Sequence, residues 1–367
     1  MKFLNKLFSK KANPEISKAE QLTISEFWNW FSEKQTKLLQ AVKSQNNIQS
    51  EFISPVFNKL NQIQEGAFLL TGMMDDNTAE LVFTAEGDIL SFPYISELVS
   101  SAPQLKNWQF TAFKPSVDIP DFSIDMGPKS FSTDNIFFYP ENDDYHPDEI
   151  SIKLCYTDKY TDDENQLIEN GTFIFLENYL GEIKTATQID RLSFNHNVNS
   201  NMELNPISKL NDYINWREKE FIEKYEGTFH NSDESNYSSL EWEKGDRAIV
   251  GVVNSDLIKW DKKASHPWIM VITIEFDENE NNGMPTQELL QSYYQFEDRL
   301  RELLPDKEGY IHVAQTTGLG KREIYYANKN YTRPIQILNE MKDKVSFDYV
   351  IEVFKDKYWK SMKLFEH

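Results

Sequence analysis

Residues 268–276 read WIMVITIEF, a run of β-branched and aromatic side chains of strand length. The residues on its C-terminal side decide the fold. Thr286–Leu304 carries Leu289, Leu290, Tyr293, Phe296, Leu300 and Leu303 on one helical face, and Pro305 stops it. Tyr310–Thr316 and Arg322–Ala327 read as strands, joined by a hairpin at Gly318, Leu319 and Gly320. Arg333–Lys342 reads as a helix and Val345–Phe354 as a strand, with a terminal helix over Lys357–Phe365. Each helix has a single apolar stripe, so both must cover the same sheet face. The succession strand, helix, strand, strand, helix, strand is that of a ferredoxin-like βαββαβ fold.

Upstream, Arg247–Asn254 adds a strand. A capping box at Thr23 and Glu26 opens a helix with Ile24, Phe27, Trp28, Phe31, Leu38 and Val42 on one face. A second helix starts at Ser54 and Pro55. Strands are predicted over Ala67–Met73, Glu80–Ala85, Trp108–Lys114, Ile136–Tyr139, Ile150–Tyr156 and Ala186–Phe194, and helices over Ser91–Ala102, Gln166–Leu180 and Lys209–Tyr225. The similar order in both halves predicts an α+β chain of two related helix-on-sheet sandwiches, in the manner of a duplication. The boundaries predicted are a tail with a helical pair over 1–65, a first α+β domain over 66–205, a helical and polar connection over 206–239, and the ferredoxin-like domain over 240–367.

Composition narrows function. The 367 residues include 59 acids and 38 bases, a formal charge of -21. Such a field repels phosphate backbones, which argues against nucleic acid as a partner, and it suits a basic protein partner. The lone cysteine, Cys155, forbids an intrachain disulfide and fits a reducing, cytoplasmic setting. Cys155 sits in a strand, so a buried, inert thiol is expected rather than a nucleophile. No apolar run approaches the roughly 18 residues of a membrane span. The start, MKFLNKLFSKK, lacks the continuous apolar core of a signal peptide and reads as a frayed basic tail.

Catalytic patterns are sparse. There is no GxxxxGK[ST] loop and no GxSxG elbow, and the single GxG at Gly318 lies between strands. His146, His196, His230, His266, His312 and His367 form no ligand spacing, so neither a metal nor another cofactor is expected. Asp277, Asn279, Asn281 and Glu288 have calcium-loop spacing, but Asn282 replaces the turn glycine and a strand precedes them. A solvated connection is the plainer reading. Asp158, Asp162, Asp163 and Glu164 precede a helix, where acids complement the dipole. Asp143, Asp144, His146, Asp148 and Glu149 read as a mobile surface loop.

Several separated segments carry a resemblance. They are Val253 and Asn254; Asn282, Gly283, Met284 and Pro285; Phe296 to Leu300; Thr316 to Glu323 with Tyr325 and Tyr326; and Asp356, Lys357, Tyr358 and Trp359. Through them roughly residues 240–367 resemble the bacterial family called domain of unknown function 695. The first half resembles the region that often precedes that domain, through Phe27 to Phe31, Thr84 to Gly87, and Ala102 to Pro115. The resemblance implies no established reaction. It implies a fold similar to that of the acidic protein that inhibits ribonuclease E; with the acid excess and the sparse catalytic patterns, that analogy points to a non-enzymatic regulator, inhibitor or immunity-type factor. Within it, Thr317, Lys321, Arg322, Glu323, Asp356 and Trp359 are the candidate binding residues. Arg322 could hold a carboxylate or phosphate through its planar fork, or form an ion pair with Glu323 or Asp356. The alternatives are an enzyme working through carboxylates such as Glu323 and Asp356, and a small-ligand binder with a site between the halves. The oligomeric state is left open.

Overall fold

A computed structural model describes residues 22–117, 122–141, 143–198, 202–245, 247–277 and 283–366. The basic start at 1–11 lies outside the described residues. The chain forms two units and is of the α+β class. One unit comprises Met1–Glu141 and Ile150–Ile214, the other Asn142–Glu149 and Asn215–His367. The 143–149 acidic stretch therefore belongs with the C-terminal half rather than with its sequence neighbours.

In the first unit, α1 (Ile24–Ser44) begins at the expected capping box, with Thr23 N donating to Glu26 at 2.8 Å. Next come α2 (Ser54–Asn61), β1 (Phe68–Met73), β2 (Ala79–Thr84), α3 (Phe92–Ser100) and β3 (Trp108–Ala112). These strands form a three-stranded sheet whose Phe83, Trp108 and Phe110 meet Phe27, Trp28 and Phe31 of α1. Trp28 is core, and its indole donates to Leu98 O, whereas Trp30 is half-buried. A hairpin, β4 (Ser123–Met126) and β5 (Lys129–Ser132), is followed by β6 (Ile136–Pro140), β7 (Ser151–Tyr156), α4 (Asn165–Leu180), α5 (Glu182–Thr187), β8 (Arg191–Phe194) and β9 (Asn205–Pro206). The strand order is β8-β7-β6-β9, with β7 and β8 parallel.

Two expectations are corrected by this unit. Among the described residues the first half does not repeat the topology of the second: its strands are divided among three sheets, and two of its pairings are parallel. The supposed closing strand from Ala186 also starts later. Gly181, at φ 81, ends α4, and its missing Cβ admits the Ser116 amide, which an added Cβ would meet at 2.9 Å. Glu182 then starts a new helix, and the strand begins at Arg191.

That glutamate ties the unit together. Only 1% exposed, its carboxylate accepts from Thr84 Oγ1 (2.7 Å) and from the amides of Ala85 (3.0 Å), Gly87 (3.0 Å) and Lys114 (3.1 Å). Lys114 Nζ reaches Glu86 and Glu177 beside it. The segments 84–87 and 112–115, which stand out in the sequence, thus converge on one carboxylate. Glu182→Ala orphans these donors and should cost about 4 kcal/mol or more, since hydrogen bonds to a charged group contribute roughly 1.5–3 kcal/mol each. Urea unfolding checks this, and a loss under about 1 kcal/mol would contradict the clamp.

The helix α6 (Leu210–Tyr225) leads into the second unit. There β10 (Tyr237–Lys244), β11 (Arg247–Asn254), α7 (Ser255–Ile258), β12 (Trp268–Glu275), α8 (Gln287–Leu303), β13 (Tyr310–Gly318), β14 (Lys321–Asn328), α9 (Thr332–Met341) and β15 (Val350–Lys355) build one antiparallel sheet, ordered β10-β11-β13-β14-β12-β15. From β12 onward the order strand, helix, strand, strand, helix, strand is present, with β10 and β11 extending the sheet beyond it. Alternation sends Arg322 of β14 toward Glu297 of α8, and Tyr325 toward the opposite face, against Phe365. That opposite face is also covered, by Leu257, Trp359, Met362 and Phe365, so helices do not confine themselves to one side. The final segment is a 3-10 turn at Lys360–Phe365, and β15 starts at Val350 rather than Val345. β10 replaces the end of the supposed polar connection at 230–239. An exposed strand with only Leu240 and Trp242 packed inward offers little apolar periodicity.

Candidate functional site

The residues singled out in the second half do not form one site; strand alternation and register divide them. Gly283, φ 80, sits at the entry to α8, and its carbonyl accepts from Gly320 N at 3.2 Å. Gly320 O in turn accepts from Phe276 N at 2.8 Å. Leu319, between two glycines, holds φ 56, a left-handed conformation uncommon for a leucine. Gly318 has no alternative, because an added Cβ would lie 2.6 Å from Ala248 O. The hairpin is therefore fixed by main-chain contacts on both sides.

Beside it Arg322 is buried. Its Nε donates to Glu297 Oε1 at 2.6 Å, Nη1 donates to Thr317 Oγ1, and Tyr294 lies 5.6 Å from the guanidinium. The two charged side chains are 3% and 2% exposed, with Arg301 3.7 Å from the second Glu297 oxygen. The ion-pair partner is thus Glu297, neither Glu323 nor Asp356. Glu297 adjoins Phe296 on the inner stripe of α8, and a carboxylate on an apolar face was the available signal.

Glu323 faces the other way. It accepts from Lys321 Nζ (2.6 Å), Tyr325 OH (3.1 Å) and Thr316 Oγ1 (3.3 Å). Asp356 caps the last turn by accepting from Lys360 N and Ser361 N. Glu323 pairs in register with Thr273, and Asp356 N bonds Pro267 O. Those two positions are separated by about 20 Å of strand at ~3.3 Å per residue. Glu323 and Asp356 therefore cannot act as a carboxylate pair on one substrate. Trp359 is an anchor, its indole donating to the carbonyl of buried His266 at 3.0 Å.

A second charged network escaped the sequence reading. Asp148 accepts from Lys224 Nζ (2.7 Å), Tyr225 OH (2.8 Å) and Tyr358 OH (2.8 Å). Burial pushes its carboxyl up, but these hydrogen bonds outweigh it and hold the pKa below the usual carboxylate value. Buried Lys357 donates to Asp148 O at 2.6 Å and lies 4.3 Å from the Phe221 ring. Lys360 pairs with Glu149, and Arg217 donates to Pro147 O. Rather than forming a free surface loop, this part of the acidic stretch is held by bases from α6 and from 357–360.

The remaining candidates are structural. Asp158 accepts from Asn135, and Glu164 completes a capping box with Thr161 ahead of α4. Cys155 is buried, and burial pushes its thiol up to about 11. Of the calcium-spaced residues, Asn279 and Asn281 lie outside the described residues, and Glu288 occupies the first turn of α8. Among the described residues no group of three or more His, Cys, Asp or Glu is placed to hold a metal ion. Nor, among them, is any helix long and apolar enough to cross a membrane.

Comparison with known proteins bears on this half. Residues 242–365, the C-terminal part of the chain, match the model of a family of unknown function (DUF695). Neither the curated proteins nor the solved structures give a match. The matched span holds the Glu297–Arg322 pair, the 318–320 hairpin and the 356–359 segment.

The buried ion pair can be tested by mutation. Glu297→Ala and Arg322→Ala should each cost about 3–5 kcal/mol, because each strands a buried charge. Replacing both by apolar residues of similar volume, Glu297→Leu with Arg322→Met, should cost much less than the sum. Additive losses in urea unfolding would contradict the pairing. A pH dependence is expected from His266, fully buried, whose pKa burial pushes down to about 3. The unfolded chain binds this proton near pH 6.5 and the folded unit does not, so stability is complete above pH 6.5 and falls as the pH drops toward 3. Between pH 7 and pH 5 this group alone should remove about 2 kcal/mol at ~1.4 kcal/mol per pH unit. His266→Asn should reduce the slope there by that amount, leaving the like contribution of His312, which burial also pushes down to about 3, and an unchanged slope would contradict it.

Proposed function

We propose that this is a non-enzymatic protein-binding module that docks on a basic partner through an acidic surface, as a regulator, inhibitor or immunity-type factor does. One observation carries this reading. Two bases of α6, Arg217 and Lys224, are engaged by the 143–149 stretch, and exposed Lys219 lies 3.7 Å from Glu223, while Glu220 and Glu226 stay exposed. Three large apolar side chains of the same stretch of sequence are also exposed: Trp216 54%, Ile222 63% and Phe229 65%. Exposed large apolar groups in an acid-rich stretch are features that a docking surface uses. The separation of Glu323 from Asp356 weighs against a carboxylate-based reaction at those residues.

Affinity capture from the source cell at about 0.05 M and 0.5 M salt tests the reading, because screening weakens exposed charge contacts. A basic protein should be retained at low salt and released at high salt. Glu220→Lys with Glu226→Lys should abolish its retention without lowering stability. Retention indifferent to both salt and charge reversal, or turnover by the purified protein in a broad hydrolase screen, would overturn it.

A further inference from the structure

Among the described residues β10 is an edge strand of the six-stranded sheet, paired on one side only, with β11. Tyr237, Ser238, Ser239, Glu241 and Glu243 are exposed along it, while Leu240 and Trp242 pack against the core of the unit. The hairpin closes with Lys244 opposite Arg247. Beyond the far end of the strand Ser255 N donates to Asn236 O at 2.9 Å, and bonded and non-bonded pairs alternate along the ladder from there. Ser238, Leu240 and Trp242 therefore bond β11, and Ser239, Glu241 and Glu243 direct their N–H and C=O groups outward. Main-chain groups so placed are a template for another strand.

The side chains select what can pair there. A second copy of β10, antiparallel to the first, would bring glutamates toward glutamates, and like charges across a strand pair are destabilising. An acidic or nucleic-acid partner meets the same repulsion. A strand with Lys or Arg at alternate positions instead places its bases against Glu241 and Glu243. The opposite edge is built differently: Lys355 at the end of β15 is paired with Glu218 of α6.

We infer that β10 accepts an extended, basic segment of the partner by strand addition, with Glu241 and Glu243 reading alternate Lys or Arg side chains. This rests on the docking function and names its mode. Main-chain bonds supply the attachment and the alternate charges supply selectivity.

The test uses the full chain and a nine-residue peptide alternating Lys with Val, followed by fluorescence anisotropy. Three comparisons accompany it: the same peptide N-methylated at alternate amides, a Glu-for-Lys peptide, and the Ser239→Pro protein. Ser239→Pro removes an outward amide, leaves net charge unchanged, and is tolerated at an edge where that amide makes no ladder bond. The Lys peptide should bind in a salt-sensitive manner, and N-methylation or Ser239→Pro should each weaken it at least tenfold. The Glu peptide should not bind. Equal binding of the methylated and unmethylated peptides overturns strand addition while leaving charge-driven docking intact. Binding of the Lys peptide no tighter than that of the Glu peptide overturns the basic-segment assignment. Salt-indifferent capture, measured separately, marks failure of the docking function itself. A dimer that Ser239→Pro dissociates would assign the edge to a second copy instead. If Ser239→Pro fails to fold, the N-methylated peptide alone decides.

Discussion

An ionised side chain leaves water at tolerable cost only when a partner of opposite charge, or a full set of hydrogen bonds, leaves with it. The Glu297–Arg322 pair is the clearest case. Its two ends come from α8 and β14, so the helix can sit on the sheet only in the placement that joins them. Glu182 meets the same requirement with main-chain amides, and Asp148 with a lysine and two tyrosines. The buried charged groups among the described residues balance, Glu182 and Glu297 against Arg322 and Lys357, so the acid excess of the chain lies outside the core.

Elements with strong periodicity were legible from residues alone. Thr23 and Glu26 announced α1 through local hydrogen bonds, and the stripe from Leu289 to Leu303 announced α8 through its 3.6-residue repeat. The strand run at Trp268 and the glycines around Leu319 placed β12 and the β13–β14 turn. What could not be read was long-range pairing. Arg322 stood out in the sequence, but its partner lies 25 positions away on another element, and nothing local distinguishes Glu297 from Glu323 as the acceptor. Strand alternation then separates Lys321 and Glu323 from Arg322 and Thr317. β10 was missed for a related reason: an edge strand buries little, so its sequence resembles a loop.

The 143–149 stretch shows the same lesson from the opposite side. Its proline and acids read as a mobile surface, and by composition alone that is the natural reading. Arg217, Lys224, Lys357 and Lys360 convert it into a packed segment of the second unit. Lys357 and Tyr358, two of the residues that carried the family resemblance, act here as supports for that segment. The Gly283 contact with Gly320 and the Asp356 cap are likewise structural. In this chain the segments that carry the resemblance largely hold the second unit together.

Amide hydrogen exchange along β10, with and without the alternating Lys–Val peptide, tests the account most directly. The amides of Ser239, Glu241 and Glu243 should exchange fast in the free protein and slowly in the complex. Those of Ser238, Leu240 and Trp242 should be slow in both. Uniform protection of the strand before any peptide is added, or outward amides that stay fast at saturating peptide, would contradict an edge held open for a basic strand.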